Sequence, residues 1–171
     1  MSPLDCVKIV TDAGLVIGGA TFRVDEERLF TALTDTVEIG RWWGGRRRGS
    51  NVTWIGTPEA GSPWWAEGVF SGRRVFLASG HFLEVERPHR FVQSWQSSWA
   101  GLELTKASVR LEPGPEGTVL SLVHSGFCGQ PEAARAQAQL WWKVIKWLHI
   151  HLQAPAPVAR EALDGGLGLG L

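Results

Sequence analysis

Histidine and glutamate are the residues of this chain best suited to moving protons, and three stand out: His81, Glu103 and His124. A histidine and a carboxylate within reach of one substrate could serve an aldol-type cyclisation, a dehydration or a hydration, all of which need general acid–base catalysis. Signatures of other chemistries are missing. The sequence has no nucleophile elbow, no phosphate-cradling glycine loop and no zinc-ligand cluster. The "GGLGLG" near the end of the chain lacks a preceding strand and a following helix, so it is no dinucleotide fingerprint. No cofactor or metal is therefore expected. Cys6 and Cys128 lie far apart, outside any metal-ligand spacing, and read as free thiols of a cytosolic protein.

The bulk numbers narrow the partners. The chain has 171 residues, enough for one domain with a substantial core. Lysine plus arginine equals aspartate plus glutamate at 17 each, a poor basis for binding nucleic acid through its phosphates. The first residues, "MSPLDCVKIV", lack the pattern of a signal peptide, and no apolar run approaches the roughly 18 residues needed to cross a bilayer. A cytoplasmic protein with no nucleic-acid or membrane partner is expected. Tryptophan is the anomaly: there are ten, and no tyrosine. Indole is a large apolar plate with a single N–H donor, so this many points to an aromatic-lined cavity as well as to core.

The elements that must carry these residues can be read in order. Residues 15–24, "LVIGGATFRV", read as a strand with a bulge or a close-packing point at Gly18 and Gly19. Asp25 caps a helix whose buried stripe is Leu29, Phe30 and Leu33. A second short helix runs from Thr36 to Trp43 and stops at Gly44-Gly45. From there to about residue 125, turn signals at 57–63, 71–74, 86–90, 99–101 and 112–117 divide antiparallel strands. Residues 130–153 then take helical periodicity, with Trp141, Ile145, Leu148 and Leu152 on one face. The reading is α+β: a curved antiparallel sheet wrapped around a long C-terminal helix, with two short helices after the first strand. A curved sheet cannot touch its covering helix everywhere, and the gap is where small apolar ligands bind.

Strand alternation sorts the inward candidates. Phe91, Gln93, Trp95, Ser97 and Trp99 share one face; His81 shares parity with Leu83 and Val85, Glu103 with Thr105 and Ala107, and His124 with Leu120 and Leu122. Trp54, Trp64 and Trp65 lie on the early strands. Trp64 and Trp65 must point oppositely; Trp65 is assigned to the cavity, and its neighbour to a sheet edge or a second subunit, which leaves a homodimer open. Of Trp42 and Trp43, one reaches core and the other the cavity mouth. With Trp141 and Ile145 from the helix, these residues form the expected ligand-binding set: Trp43, Trp54, Trp65, His81, Phe91, Gln93, Trp95, Trp99, Glu103, His124, Trp141 and Ile145. His81 could equally stand at the rim, and Glu103 could be solvated.

Four segments in the right order carry a family resemblance: "FRVDEERLFTALTDTVEIGRWWG" (22–44), "GHFLEVERPHRFVQSW" (80–95), "VRLEPGPEGTVLSLVHSGF" (109–127) and the final helix. Together they resemble the activator-of-heat-shock-protein-90-ATPase homologue domains of the SRPBCC (START-like, helix-grip) superfamily, over about residues 20–153. The resemblance implies the helix-grip fold and, from the wider superfamily, a hydrophobic small molecule held under the last helix. It also places His124 in the family's His-Ser-Gly-Phe turn, where a structural hydrogen bond competes with a catalytic role. Gln93, Leu140 and Trp142 depart from the family pattern, which suggests a reshaped or partly filled cavity.

Three functions follow, in decreasing order of support. The first is binding of a small hydrophobic or aromatic ligand. The second is a cyclase, dehydratase or hydrolase acting on a polyketide-like substrate, with His81, Glu103 and His124 as catalytic candidates. The third is a co-chaperone-like interaction module. Arg46, Arg47 and Arg48, in a glycine-flanked loop, read either as solvated or as a cationic rim to the cavity. By segment, residues 1–14 form an extension, 15–153 the helix-grip domain, and 154–171 a Pro/Gly-rich tail.

Overall fold

The computed structural model describes residues 8–45, 51–70, 74–98 and 103–153. Eight strands form one antiparallel sheet in the order β1-β2-β8-β7-β6-β5-β4-β3, curved around a long helix. The strands are β1 (Lys8–Asp12), β2 (Leu15–Phe22), β3 (Asn51–Gly56), β4 (Pro63–Phe70), β5 (Arg74–Glu86), β6 (Arg90–Ser97), β7 (Thr105–Gly114) and β8 (Gly117–Ser125). The helices are α1 (Glu26–Thr34) and α2 (Thr36–Trp42), between β2 and β3, and α3 (Pro131–Gln153) at the end. This is the α+β helix-grip architecture read from the sequence.

Local chemistry sets the helix boundaries. The Asp25 carboxylate accepts from the Arg28 N–H at 2.7 Å, and Asp35 caps α2 by the same geometry on the Glu38 N–H. Asp35 also closes α1, so one residue ends one helix and starts the next. The chain leaves α2 through Gly44 and Gly45, whose φ values of 87° and 72° favour glycine. Within the N-terminal extension, residues 8–12 supply the edge strand β1. A tight turn through Ala13 and Gly14, both at positive φ, returns the chain into β2. At Gly18 the register is unbroken and a side chain would strike Ile9, so this position is a close-packing point and not a bulge.

The core lies between the sheet's concave face and the helices. Alternate residues of β7 (Thr105, Ala107, Val109, Leu111) and β8 (Thr118, Leu120, Leu122, His124) are buried, as strand periodicity requires. From α3 the buried stripe is Ala134, Gln137, Trp141, Val144, Ile145, Leu148 and His149. It holds Trp141 and Ile145 as expected, but also two polar residues the periodicity reading missed. α3 packs chiefly against β1 and β2. Its C-terminal turns reach α2, where the His151 ring N–H donates to Glu38 at 2.7 Å, beside Arg28 on the same carboxylate. Burial works to raise the Glu38 carboxyl, but these two hydrogen bonds outweigh it and hold the group below the usual carboxylate range.

Candidate functional site

A connected run of buried indole rings crosses the interior from the end of α2 to α3. Trp43 meets Trp54 edge-on at 4.7 Å between centroids, Trp54 stacks on Trp64 at 5.3 Å, and Trp64 meets Trp95 at 4.7 Å. Trp95 then lies 5.8 Å from Trp141 on α3. Trp42 and Trp147 flank the Trp43 end. Each ring arrives by a simple rule. β3, β4 and β6 place Trp54, Trp64 and Trp95 on the concave face by strand alternation, the end of α2 delivers Trp42 and Trp43, and α3 presents Trp141. Trp42 is anchored by its N–H to the Ala32 carbonyl at 3.0 Å, so it is the core member of its pair. Trp43, also buried, faces the indole run.

At the far end of the run a hydrogen-bond relay locks helix to sheet. The Trp141 indole N–H donates to His124 Nδ1 at 2.9 Å. Thr105 Oγ1 lies 2.7 Å from His124 Nε2 and donates its own proton to the Trp95 carbonyl at 2.7 Å. With the threonine proton committed, His124 must donate from Nε2 and accept at Nδ1, which defines one neutral tautomer. His124 is wholly buried, and burial drives its pKa down to about 3. Both ring nitrogens are occupied and the ring stays neutral at ordinary pH. The arrangement suits a structural post and leaves no free valence for proton transfer.

The other two acid–base candidates lie elsewhere. His81 is exposed, whereas its neighbour Phe82 is buried. The cause is an irregularity in the β5–β6 register between Phe82 and Glu84, which reverses the alternation. Val85 faces inward beyond it, opposite Phe91, but parity counted back from Val85 does not reach His81. Glu103 precedes the first residue of β7, so strand parity does not extend to it. It is exposed and accepts a hydrogen bond from the Gln130 amide. His81, Glu103 and His124 thus form no common acid–base site.

Trp65 is likewise corrected. It is 42% exposed on the convex face, and Trp64 takes the inward position. Trp65 still borders a concavity of about 410 Å³, shared with Thr36, Trp54 and Pro63, at the β3–β4 end of the indole run. Phe91, Gln93 and Trp95 share one face of β6 and are buried, as are Val92 and Ser94 on the other face. Trp99 and Arg46, Arg47 and Arg48 lie outside the described residues, as does the 154–171 tail.

Among the described residues, five buried side chains of this interior carry polar atoms with no hydrogen-bond partner. These are the indole nitrogens of Trp64 and Trp95, the Ser97 hydroxyl, both amide atoms of Gln137, and His149 Nε2. Trp64, Trp95 and Ser97 come from the concave face, and Gln137 and His149 from the inward stripe of α3. The His149 ring stacks on Phe22 at 4.1 Å, and burial lowers its pKa. Among the described residues no group of three or more histidines, cysteines or carboxylates is placed to hold a metal. No described helix is long and apolar enough to cross a membrane.

Comparison with known proteins agrees with this fold. A Rhodobacter sphaeroides protein of known crystal structure superposes with a TM-score of 0.71 at 23% identity, covering 85% of this chain and 95% of its own. A solution structure from Arthrobacter aurescens gives 0.72 at 19% identity, covering 92% and 98%. CalU16 from Micromonospora echinospora gives 0.60 at 20% identity, covering 86% and 83%. At these identities the likeness establishes the fold alone. No curated protein matches the chain. The family model described as "Activator of Hsp90 ATPase homolog 1-like protein" matches residues 23–153, from the end of β2 through the last turn of α3. That span takes in the caps, the indole run and the His124 relay, and the chain belongs to this family.

Proposed function

We propose that the protein binds a flat, largely apolar small molecule between the concave face of the sheet and α3. One observation carries the reading: the unpartnered polar atoms of Trp64, Trp95, Ser97, Gln137 and His149 all belong to side chains facing that interior. A buried donor or acceptor without a partner costs on the order of 1–3 kcal/mol, and folded proteins tolerate few. A ligand whose rings lie against indole faces and whose heteroatoms meet some of these groups would recover part of that cost. The concavity between Thr36, Trp54 and Trp65 borders one end of the indole run and is the nearest approach from solvent that the reading can use.

The enzyme reading draws no support from His81, Glu103 and His124, which lie apart. The co-chaperone reading rests on the family's name and on no surface feature described above. The test is titration with a panel of mono- and bicyclic aromatics, read by tryptophan fluorescence and thermal shift. Saturable quenching accompanied by a rise in Tm is expected, because a ligand that binds only the folded state stabilises it. A flat response across the panel would overturn the reading.

A further inference from the structure

We infer that Gln137 is the residue that selects the ligand, and that the ligand carries a neutral lactam or carboxamide on an aromatic ring system. The inference rests on the proposed interior binding mode. Gln137 is wholly buried, yet neither its amide nitrogen nor its amide oxygen has a partner. It interrupts the otherwise apolar forward half of the α3 stripe, three residues after Ala134 and four before Trp141. Those spacings place all three on one helix face, with Gln137 one turn from the Trp141 ring. Leucine or methionine at this position would be at least as good a helix former and would bury no polar atom.

The chemistry of the partner follows from the group. A primary amide presents an N–H donor beside a C=O acceptor, and its complement is the same pair reversed. Lactams and carboxamides have that edge and carry no charge. A carboxylate lacks the donor, and its charge would meet only a neutral amide in this buried position. Trp141 adds a second constraint. Its N–H is already committed to His124 Nδ1, so it offers a ring face held in a fixed orientation. A planar ring against Trp141 with a lactam edge turned toward the α3 N-terminus would satisfy both residues.

The probe is 2-quinolone, a bicyclic lactam, with naphthalene as the same outline lacking the polar edge and N-methyl-2-quinolone as the lactam with its donor blocked. Affinities are read by tryptophan fluorescence for the wild type and for Gln137→Met, which keeps length while removing both amide atoms. Wild type is expected to bind 2-quinolone about tenfold or more tighter than N-methyl-2-quinolone. Q137M should lose about tenfold for 2-quinolone, with naphthalene unchanged. Without ligand, Q137M should melt no lower than wild type, since an unpaired amide has been removed. Equal losses for 2-quinolone and naphthalene, or a Tm several degrees lower in both Q137M and Gln137→Leu, would show a packing or structural role and overturn the inference. Naphthalene binding without discrimination between the two quinolones would overturn it while leaving interior binding standing. Binding of none of the three would remove both.

Discussion

Two sets of buried polar groups share one interior and are treated in opposite ways. Trp141, His124, Thr105 and the Trp95 carbonyl pass hydrogen bonds along until each committed group is matched. Trp64, Ser97 and Gln137 bury the same kinds of group with no partner. The first set crosses from α3 to β8, β7 and β6, and every bond in it fixes one element against another. The second set spans the same two layers but fixes nothing. Burial alone therefore does not separate framework from site in this molecule; hydrogen-bond saturation does. A saturated network loses stability when any member is removed. An unsaturated one loses little, and its members remain available to something that enters.

The sharpest way to break that contrast is to remove the centre of the relay. His124→Phe keeps a ring of similar width but strands the Trp141 N–H in the core. Loss of two buried hydrogen bonds and one stranded donor should cost about 3 kcal/mol, read as a shift of the urea midpoint at unchanged slope. A loss below about 0.5 kcal/mol would mean the relay is not part of the framework.

Acid should expose the same post without mutation. His124 has a folded pKa far below its unfolded value, so below about pH 6.5 the unfolded chain binds a proton that the folded chain refuses. Stability is then full above pH 6.5 and falls as pH drops toward the folded value of about 3. The slope from this one group approaches about 1.4 kcal/mol per pH unit. His149, also depressed by burial, adds to the slope in the same direction. Between pH 6.5 and 4.5 the histidines act before the Glu38 carboxyl, which titrates below its ordinary 4.5. Urea midpoints across that interval should fall steeply in wild type and less steeply in the His124 variant. Parallel curves would contradict the assignment of His124 as a neutral, buried acceptor and donor.

How much of this was legible beforehand differs between the two sets for a physical reason. His124 follows from strand parity, because buried and exposed residues alternate along β8. Parity groups Gln93 and Trp95 on one face of β6, but that strand is buried on both faces, so burial does not choose between them. His81 was misplaced because a register irregularity leaves no mark in "GHFLEVE", and one slip reverses every assignment counted across it. Trp65 was separable from Trp64: Glu67 shares parity with Trp65, and Ala66 with Trp64, so the polar neighbour marks the outward face. Gln137 needed only a count of four back from Trp141. The relay itself was out of reach, since its partners come from β6, β7, β8 and α3 and only the tertiary fold brings them together. Likewise β1 is announced by no more than Asp12-Ala13-Gly14, a turn whose two positive φ values only the hairpin makes plain.

Two hydroxyls on the same concave face turn the contrast into a matched pair. Thr105 donates to the Trp95 carbonyl and receives the His124 N–H, while the Ser97 hydroxyl is buried and meets neither donor nor acceptor. Thr105→Val preserves shape, removes both bonds and should cost about 2 kcal/mol. Ser97→Ala removes an unmatched hydroxyl. It should leave the urea midpoint within about 0.5 kcal/mol of wild type, or raise it, because no interaction is lost and a desolvation penalty disappears. The pair works best in one set of denaturation curves, since both sites sit on the inner face and neither change alters charge. Comparable losses at the two positions would mean that Ser97 is bonded within the folded protein. Ser97 would then belong to the framework, and the unsaturated set would shrink toward Gln137, His149 and the indole nitrogens.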